Sequence, residues 1–249
     1  MATPVASPAP AATLVGLFAG PVRSFRSPRA PGAAVTGWRS AIAKAPVADA
    51  VFVGAEGLAG DRQHDRRHHG GPTKAVLCYG AAHYAAWAPL ATAHLDDLAA
   101  AGVALPTAGA FGPGAFGENL LLAGLDESTT CVGDAWRIGE VVVRITEPRG
   151  PCGTLARRWC WPGLVDHVRA TARAGWYGAV ETPGTVRLGD VATLLERRDA
   201  AWTVARTFAL LEARVAVRAD VEALLASPAA HPALRDRLAR RLATPGRTV

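Results

Sequence analysis

Ala135-Trp136-Arg137-Ile138-Gly139-Glu140-Val141-Val142-Val143-Arg144-Ile145, running on into Thr146-Glu147-Pro148-Arg149-Gly150-Pro151-Cys152-Gly153, is the most strand-like part of the chain. β-Branched residues flank a short glycine-containing connection. That pattern predicts a β-hairpin of Ala135 to Ile138 and Val141 to Ile145 about a Gly139-Glu140 turn. Pro148 and Pro151 then argue against further regular structure, because each lacks an N–H and has a fixed φ. Thr154 to Trp159 reads as helix, so Cys152 stands at a strand-to-helix junction. The positive end of a helix, with Arg149, Arg157 and Arg158 close in sequence, favours thiolate over thiol. Thiolate is the form that ligates soft metals and attacks electrophiles. A free cysteine can equally be a small buried hydrophobe, and this window alone leaves both readings open.

Upstream, Gly57 to Lys74 reads Gly-Leu-Ala-Gly-Asp-Arg-Gln-His-Asp-Arg-Arg-His-His-Gly-Gly-Pro-Thr-Lys. It has no apolar periodicity, which predicts a surface or pocket loop. Gly70-Gly71 lets backbone N–H groups come close to a ligand and Lys74 adds a point charge, a combination suited to phosphate or another anion. A solvated basic loop would look the same. His64 and His68 have no Cys or carboxylate at zinc-finger or HExxH spacing. Gly114 to Leu120 forms a third window, in which Glu118 and Asn119 stand where a glycine-rich loop enters a strand. Asn119 fits backbone satisfaction in a turn as well as it fits binding.

Strand-like runs at Thr13 to Phe18, Ala50 to Val53, Ala75 to Tyr79 and Asn119 to Leu122 precede the hairpin; Trp176 to Val180, Val186 and Val191 to Leu195 follow it. Between Tyr79 and Asn119 the pattern is helical. Pro89 is expected to end a helix carrying His83 and Trp87, and Thr92 to cap another that stops at Gly102. Leu164 to Ala174 reads as a helix stopped by Gly175. After Arg198 only helix remains: Val204 to Ala213 capped by Thr203, Val221 to Ala226 capped by Asp220, and a last helix started by Pro232 with Leu234, Leu238 and Leu242 on one stripe. The expected class is mainly β with helices (α+β). Residues 1–12 read as a disordered tail, 13–198 as a β domain and 199–249 as a three-helix domain.

The 249 residues carry a formal charge of +6, and half are apolar. No apolar run reaches the ~18 residues of a membrane span. Lys44 and Lys74 are the only lysines. The arginines are spread along the chain with no nucleic-acid-binding signature, so neither nucleic acid nor membrane is an expected partner. The four cysteines at 78, 131, 152 and 160 make no CxxC pair, which fits a reducing cytosol.

Taken in order, Gly60-Asp61, His69-Gly70-Gly71-Pro72-x-Lys74-Ala75, Gly117-Glu118-Asn119-Leu120 and Pro148-Arg149-x-Pro151-Cys152 resemble the MOSC domain, the molybdenum cofactor sulfurase C-terminal type. The resemblance is to its YiiM-like branch, with a C-terminal three-helix domain. Tyr79-x3-His83-Tyr84-x2-Trp87, Gly175-Trp176-Tyr177 and Gly189-Asp190 agree with it. Members usually carry a bulkier residue and then Lys after the cysteine, where this chain has Gly153-Thr154. The resemblance implies a β-barrel-like domain that holds molybdenum cofactor (molybdopterin), with Cys152 as catalytic residue and thiolate ligand to molybdenum. It further implies Arg67, His69 and Lys74 near the pterin phosphate, Glu118 and Asn119 near the pterin, Arg149 among the cofactor-binding residues, and Asp61 orienting the basic loop. The implied activity is reduction of N-hydroxylated compounds such as hydroxylaminopurine base analogues. No GxGxxG follows a strand, so electrons would come from a separate flavoprotein or iron–sulfur reductase. Arg235, Arg237, Arg240 and Arg241, expected to face solvent, would offer it a docking face; plain packing of the helices is the other reading. Two further functions stay open: a persulfide carrier or transferase working through Cys152, and a non-enzymatic cofactor carrier.

Overall fold

The computed structural model describes residues 12–65, 69–107 and 110–249. The strands are β1 (Ala12–Ala19), β2 (Arg23–Ser27), β3 (Thr36–Ser40), β4 (Ala45–Pro46), β5 (Val51–Gly54), β6 (Gly57–Leu58), β7 (Val76–Gly80), β8 (Leu120–Ala123), β9 (Ala135–Ile138), β10 (Val141–Pro148), β11 (Trp176–Thr182), β12 (Gly184–Val186) and β13 (Val191–Glu196). The helices are α1 (His83–Ala100), α2 (Gly153–Arg158), α3 (Leu164–Thr171), α4 (Val204–Glu212), α5 (Arg218–Ala226) and α6 (Pro232–Ala243).

Seven strands close into a barrel in the order β13-β9-β10-β11-β7-β8-β1, and β1 returns to β13 through Ala12↔Ala192 and Thr13↔Val191. Every pairing in it is antiparallel except β7 with β8. Closure removes the sheet edges, and alternate side chains fill the interior. Leu14, Val76, Cys78, Leu120, Ile138, Val143, Ile145 and Trp176 meet there. Arg144 laces the outer wall. It forms a bidentate pair with Glu181 of β11 (2.7 and 2.9 Å) and reaches Glu196 of β13 and the Gly133 carbonyl. Such forks are stronger than single bonds and hold three strands in one register.

The predicted hairpin is β9–β10, but β10 runs on through Pro148, which pairs with Trp176. A strand's last residue can dispense with an N–H on its open side, so this proline ends the strand from inside. Pro89 likewise does not end a helix. α1 is one continuous helix across it, because Trp87, Ala91 and Leu98 bury the same face on both sides, and that packing outweighs the ~3 kcal/mol intrinsic cost of an internal proline. α3 stops at Thr171, with Ala172 in the left-handed region, short of the expected Ala174. The hairpin β2–β3 went unread, since Arg-Ser-Phe-Arg-Ser and Thr-Gly-Trp-Arg-Ser carry little β-branching. Phe25 and Trp38, cross-strand partners with ring centroids 4.7 Å apart, hold it.

A second core lies outside the barrel, where α1, α2 and α3 bring Trp87, Trp159, Leu164 and Val168 against Tyr79 and Phe116. Tyr79 and Phe116 stack at 4.5 Å. A third core joins α4, α5 and α6 through Leu210, Leu211, Val221, Leu224, Leu234 and Leu238, and includes Trp202 and Val132 from the β region. Thr203 caps α4 by accepting from the Arg206 amide (3.1 Å). α5 begins two residues before the expected cap, placing Asp220 in its first turn, where it pairs with Arg206 at 3.1 Å. Ala12 already belongs to β1; the remainder of the expected tail lies outside the described residues.

Candidate active site

β10 delivers Arg149, and its backbone N–H donates to the Gly175 carbonyl at the start of β11 (3.0 Å). Three residues on, Cys152 takes an extended conformation and caps α2, accepting from the Leu155 amide through its carbonyl (3.1 Å). Its side chain lines a cavity of about 260 Å³ with His69, Lys74, Asn119, Arg149 and Tyr177. Gly70 and Gly71 in the adjoining loop have φ of 92° and 78°, a region open to glycine. A Cβ at Gly71 or at Gly153 would meet nothing within 4 Å, so both leave open space.

Burial alone would push the Cys152 thiol up. A hydrogen bond from His69, the charge of Arg149 and the Leu155 amide overcome it and bring the thiol down to about 6. Nη2 of Arg149 lies 3.9 Å from the sulfur. His69 Nδ1 is 3.1 Å from the Tyr177 hydroxyl. Burial raises that phenol to about 12, although it also accepts a hydrogen bond from Arg149. Tyr177 therefore keeps its proton and donates it to Nδ1. His69 thus lies between the Tyr177 hydroxyl and the Cys152 sulfur, with hydrogen bonds to both. Tyr177 was not assigned this role from sequence, because it lies 25 residues beyond the cysteine and only the β10–β11 pairing brings it back.

The other expected residues divide. Lys74 lines the cavity, but its ammonium pairs with the buried Glu147 at 3.1 Å and lies over the Tyr177 ring. Asn119 also lines it, with its amide engaged by the chain: Nδ2 donates to the Phe18 carbonyl and Asp61, and Oδ1 accepts from Leu77 N. Glu118 stands behind the cavity wall, fully buried, accepting from Tyr84 Oη, Gly114 N and Phe116 N. It shapes the Gly114–Gly117 turn. Arg67 lies outside the described residues, as does His68.

Asp61 binds the Gly20 amide, Lys44, Gln63 and Asn119, an anchoring set that matches its expected orienting part. Lys44 lines the same cavity and was missed, though a chain with two lysines placing both in one pocket left a compositional trace. Arg157 and Arg158 do not face the thiol as expected. Arg157 binds Thr36, and Arg158 gathers the carbonyls of Ile42, Gly114 and Ala115. They are fasteners for the β2–β3 region and the turn.

The residues supply one soft donor. Among the described residues no cluster of three or more His, Cys, Asp or Glu could hold a metal ion. A metal at Cys152 would need to bring most of its ligands with it. Arg149 Nη1, buried and without a hydrogen-bond partner, leaves one strong donor for an anion there.

The sequence matches the family model of the MOSC domain over residues 65–193, more than half of the chain. The chain belongs to the MOSC domain family. This family is associated with molybdenum cofactor binding. The chain is 37% identical over 156 residues to the uncharacterized protein YflK of Bacillus subtilis, covering 63% of each. It is 34% identical over 147 residues to protein YiiM of Escherichia coli, covering 59% of this chain and 60% of that protein. Over 176 residues it is 33% identical to a protein of Gibberella moniliformis named reductase, covering 70% of this chain and 29% of that one. It thus spans less than two thirds of the length of these relatives. Its fold matches YiiM from Geobacillus stearothermophilus with a TM-score of 0.68 at 24% identity, over 93% of this chain and 99% of that one. YiiM from Escherichia coli superposes with 0.63 at 24% identity, over 88% and 91%. Among the described residues no helix is long and apolar enough to cross a membrane.

Proposed function

We propose that this MOSC chain holds molybdenum cofactor through Cys152 and reduces N-hydroxylated compounds of the hydroxylaminopurine type in the cytoplasm, drawing electrons from a separate flavoprotein or iron–sulfur reductase. The observation that carries the reading is the thiol of about 6 at the floor of a basic cavity, beside an unpaired buried Arg149 donor. When bound, the cofactor supplies a metal that cycles through two electrons. The net change takes an N–OH group, two electrons and two protons to N–H and water.

The chain's own residues do the rest. Cys152 offers a thiolate at neutral pH without needing a base. His69 holds that thiolate by a hydrogen bond, and Tyr177, bonded to the same ring, helps to fix it. Arg149 has a free Nη1–H for a phosphate oxygen, a charge-assisted bond of the strong class. Lys44, Arg62 and Lys74 add positive potential to the cavity. Lys74 does this as half of a pair with Glu147, so its share is smaller than its position suggests. The fungal relative's name, reductase, agrees with this direction of chemistry.

The test is protein made in a host that produces the cofactor, with metal analysis and dithionite-driven turnover of hydroxylaminopurine. Wild type should retain roughly one molybdenum per chain, and folded Cys152→Ser should lose both metal and turnover, because a hydroxyl ionises too poorly to replace a thiolate. Full retention and turnover in Cys152→Ser would overturn the assignment. Labile sulfur on Cys152 without metal would point to persulfide transfer; bound cofactor without turnover would point to a carrier.

A further inference from the structure

α3, α4, α6 and the segments after them enclose a second cleft, of about 510 Å³, whose lining shares no residue with the thiol cavity. Six arginines line it: Arg169, Arg214, Arg237, Arg240, Arg241 and Arg247. Among the described residues Glu212 is its single acidic lining residue, shared between Arg169 at 3.2 Å and Arg237 at 3.4 Å. One carboxylate against six guanidiniums leaves a concentrated positive field. Arg214 and Arg240 are exposed and make no side-chain hydrogen bond or ion pair among the described residues. Arg241 is 7% exposed, its terminal nitrogens donate to the Leu211 and Ala213 carbonyls, and its buried Nε–H has no partner. Burial and then the charges of Arg247 and Arg237 hold this guanidinium below its ordinary value, with Glu212 opposing.

The lining also says what kind of anion fits. Leu211 is its one apolar side chain and no aromatic residue is present, so nothing offers a stacking surface to a ring. Guanidinium forks match phosphate oxygens two at a time. Arg237 is half-buried and Arg241 buried, which sets part of the charge back from the surface and favours a small ion over the face of another protein. We propose that this cleft binds a small soluble polyphosphate, gripped through its phosphate oxygens by Arg214, Arg237, Arg240 and Arg247. The proposal is independent of the chemistry at Cys152.

Inorganic triphosphate, titrated calorimetrically into the full chain at low ionic strength, tests it. Wild type should bind, and the doubly substituted Arg214→Glu, Arg240→Glu protein should lose at least about tenfold in affinity with an unchanged melting temperature. Binding should weaken steeply with salt. ATP should bind within about threefold of inorganic triphosphate, since no surface receives its base. Absence of binding, equal binding by the double variant, or ATP favoured by more than tenfold would each overturn the proposal. So would binding of an acidic polypeptide where triphosphate fails, which would make the cleft a protein-docking face.

Discussion

Cys78, midway along β7, is 1% exposed among apolar neighbours, and burial pushes its thiol up to about 12. Cys152, at the rim where β10 gives way to α2, is also largely enclosed, yet its thiol falls to about 6. Both sites desolvate sulfur. They differ in what else is nearby: the wall offers aliphatic carbon, while the rim offers an imidazole N–H, a guanidinium and a backbone amide. Burial thus does not decide whether a cysteine is inert. Once water is removed, the sign of the surrounding dipoles decides, because a low dielectric strengthens whatever electrostatics remain.

The largest effect this contrast predicts is in alkylation of the folded protein. At pH 7 roughly nine-tenths of Cys152 is thiolate, set against a negligible fraction of Cys78. Iodoacetamide should label Cys152 several orders of magnitude faster than Cys78, Cys131 or Cys160, as read by peptide mass spectrometry. Comparable labelling of Cys78 in folded protein would break the comparison. The Cys152 rate should fall by half near pH 6. The folded thiol lies below its ordinary 9.0, so its contribution to stability is fully present above 9 and disappears as pH falls through about 6. The stability of wild type relative to Cys152→Ser should therefore grow between pH 6 and 9.

Next in size is the tuning group. His69→Ala should move the alkylation midpoint upward by about one unit or more, a loss of reactivity at pH 6 of roughly fivefold or more. His69→Gln, which retains an N–H donor, should recover part of it. A midpoint unmoved in both would show that Arg149 alone holds the thiolate. Arg158→Ala should leave that midpoint in place while lowering stability by about 2–3 kcal/mol, since it strands the carbonyls of Ile42, Gly114 and Ala115.

Smaller still is Lys74→Ala. Cofactor-free protein should lose about 1–2 kcal/mol, less than the ~3–5 kcal/mol of a buried charge left unpaired, because Arg237 stays on Glu147 at 3.3 Å. A thermal melt reads this as a shift of a few degrees. An unchanged melt would return Lys74 to the purely ligand-directed part expected of it. At the bottom of the scale, Arg240→Glu should change stability by less than about 0.5 kcal/mol. The companion substitution at Arg241 should cost several times that, since Arg241 is buried and ties the Leu211 and Ala213 carbonyls.

Those last residues show where sequence reading stops. Sequence alone expects Arg235, Arg237, Arg240 and Arg241 all to face solvent, where they would offer an electron donor a docking face. In the fold Arg235 caps the carbonyls of Leu225, Ser227 and Ala230, Arg237 reaches Glu147 and Glu212, Arg241 is buried, and only Arg240 is exposed. Long arginine stems let a charge placed on one face act elsewhere. For Asn119 sequence leaves backbone satisfaction and binding both open; in the fold its amide is engaged by the chain while it lines the cavity, and Glu118 completes the turn behind it.

What the sequence determined by itself is local. The alternation of Ala135 to Ile145, the Thr203 cap and the Leu234, Leu238, Leu242 stripe depend on interactions within a few residues, and each stands where it was expected. The strand-to-helix placement of Cys152 is of the same kind. Closure of the barrel, the continuity of α1 through Pro89, and the convergence of Lys44, His69, Lys74 and Tyr177 on one thiol cavity were decided only by tertiary structure. These join residues far apart in the chain, 108 positions for His69 and Tyr177 and more for the Ala12 and Ala192 that close the barrel. Nothing in local propensity encodes such pairs, because their electrostatics exist only after seven strands have removed the water between them.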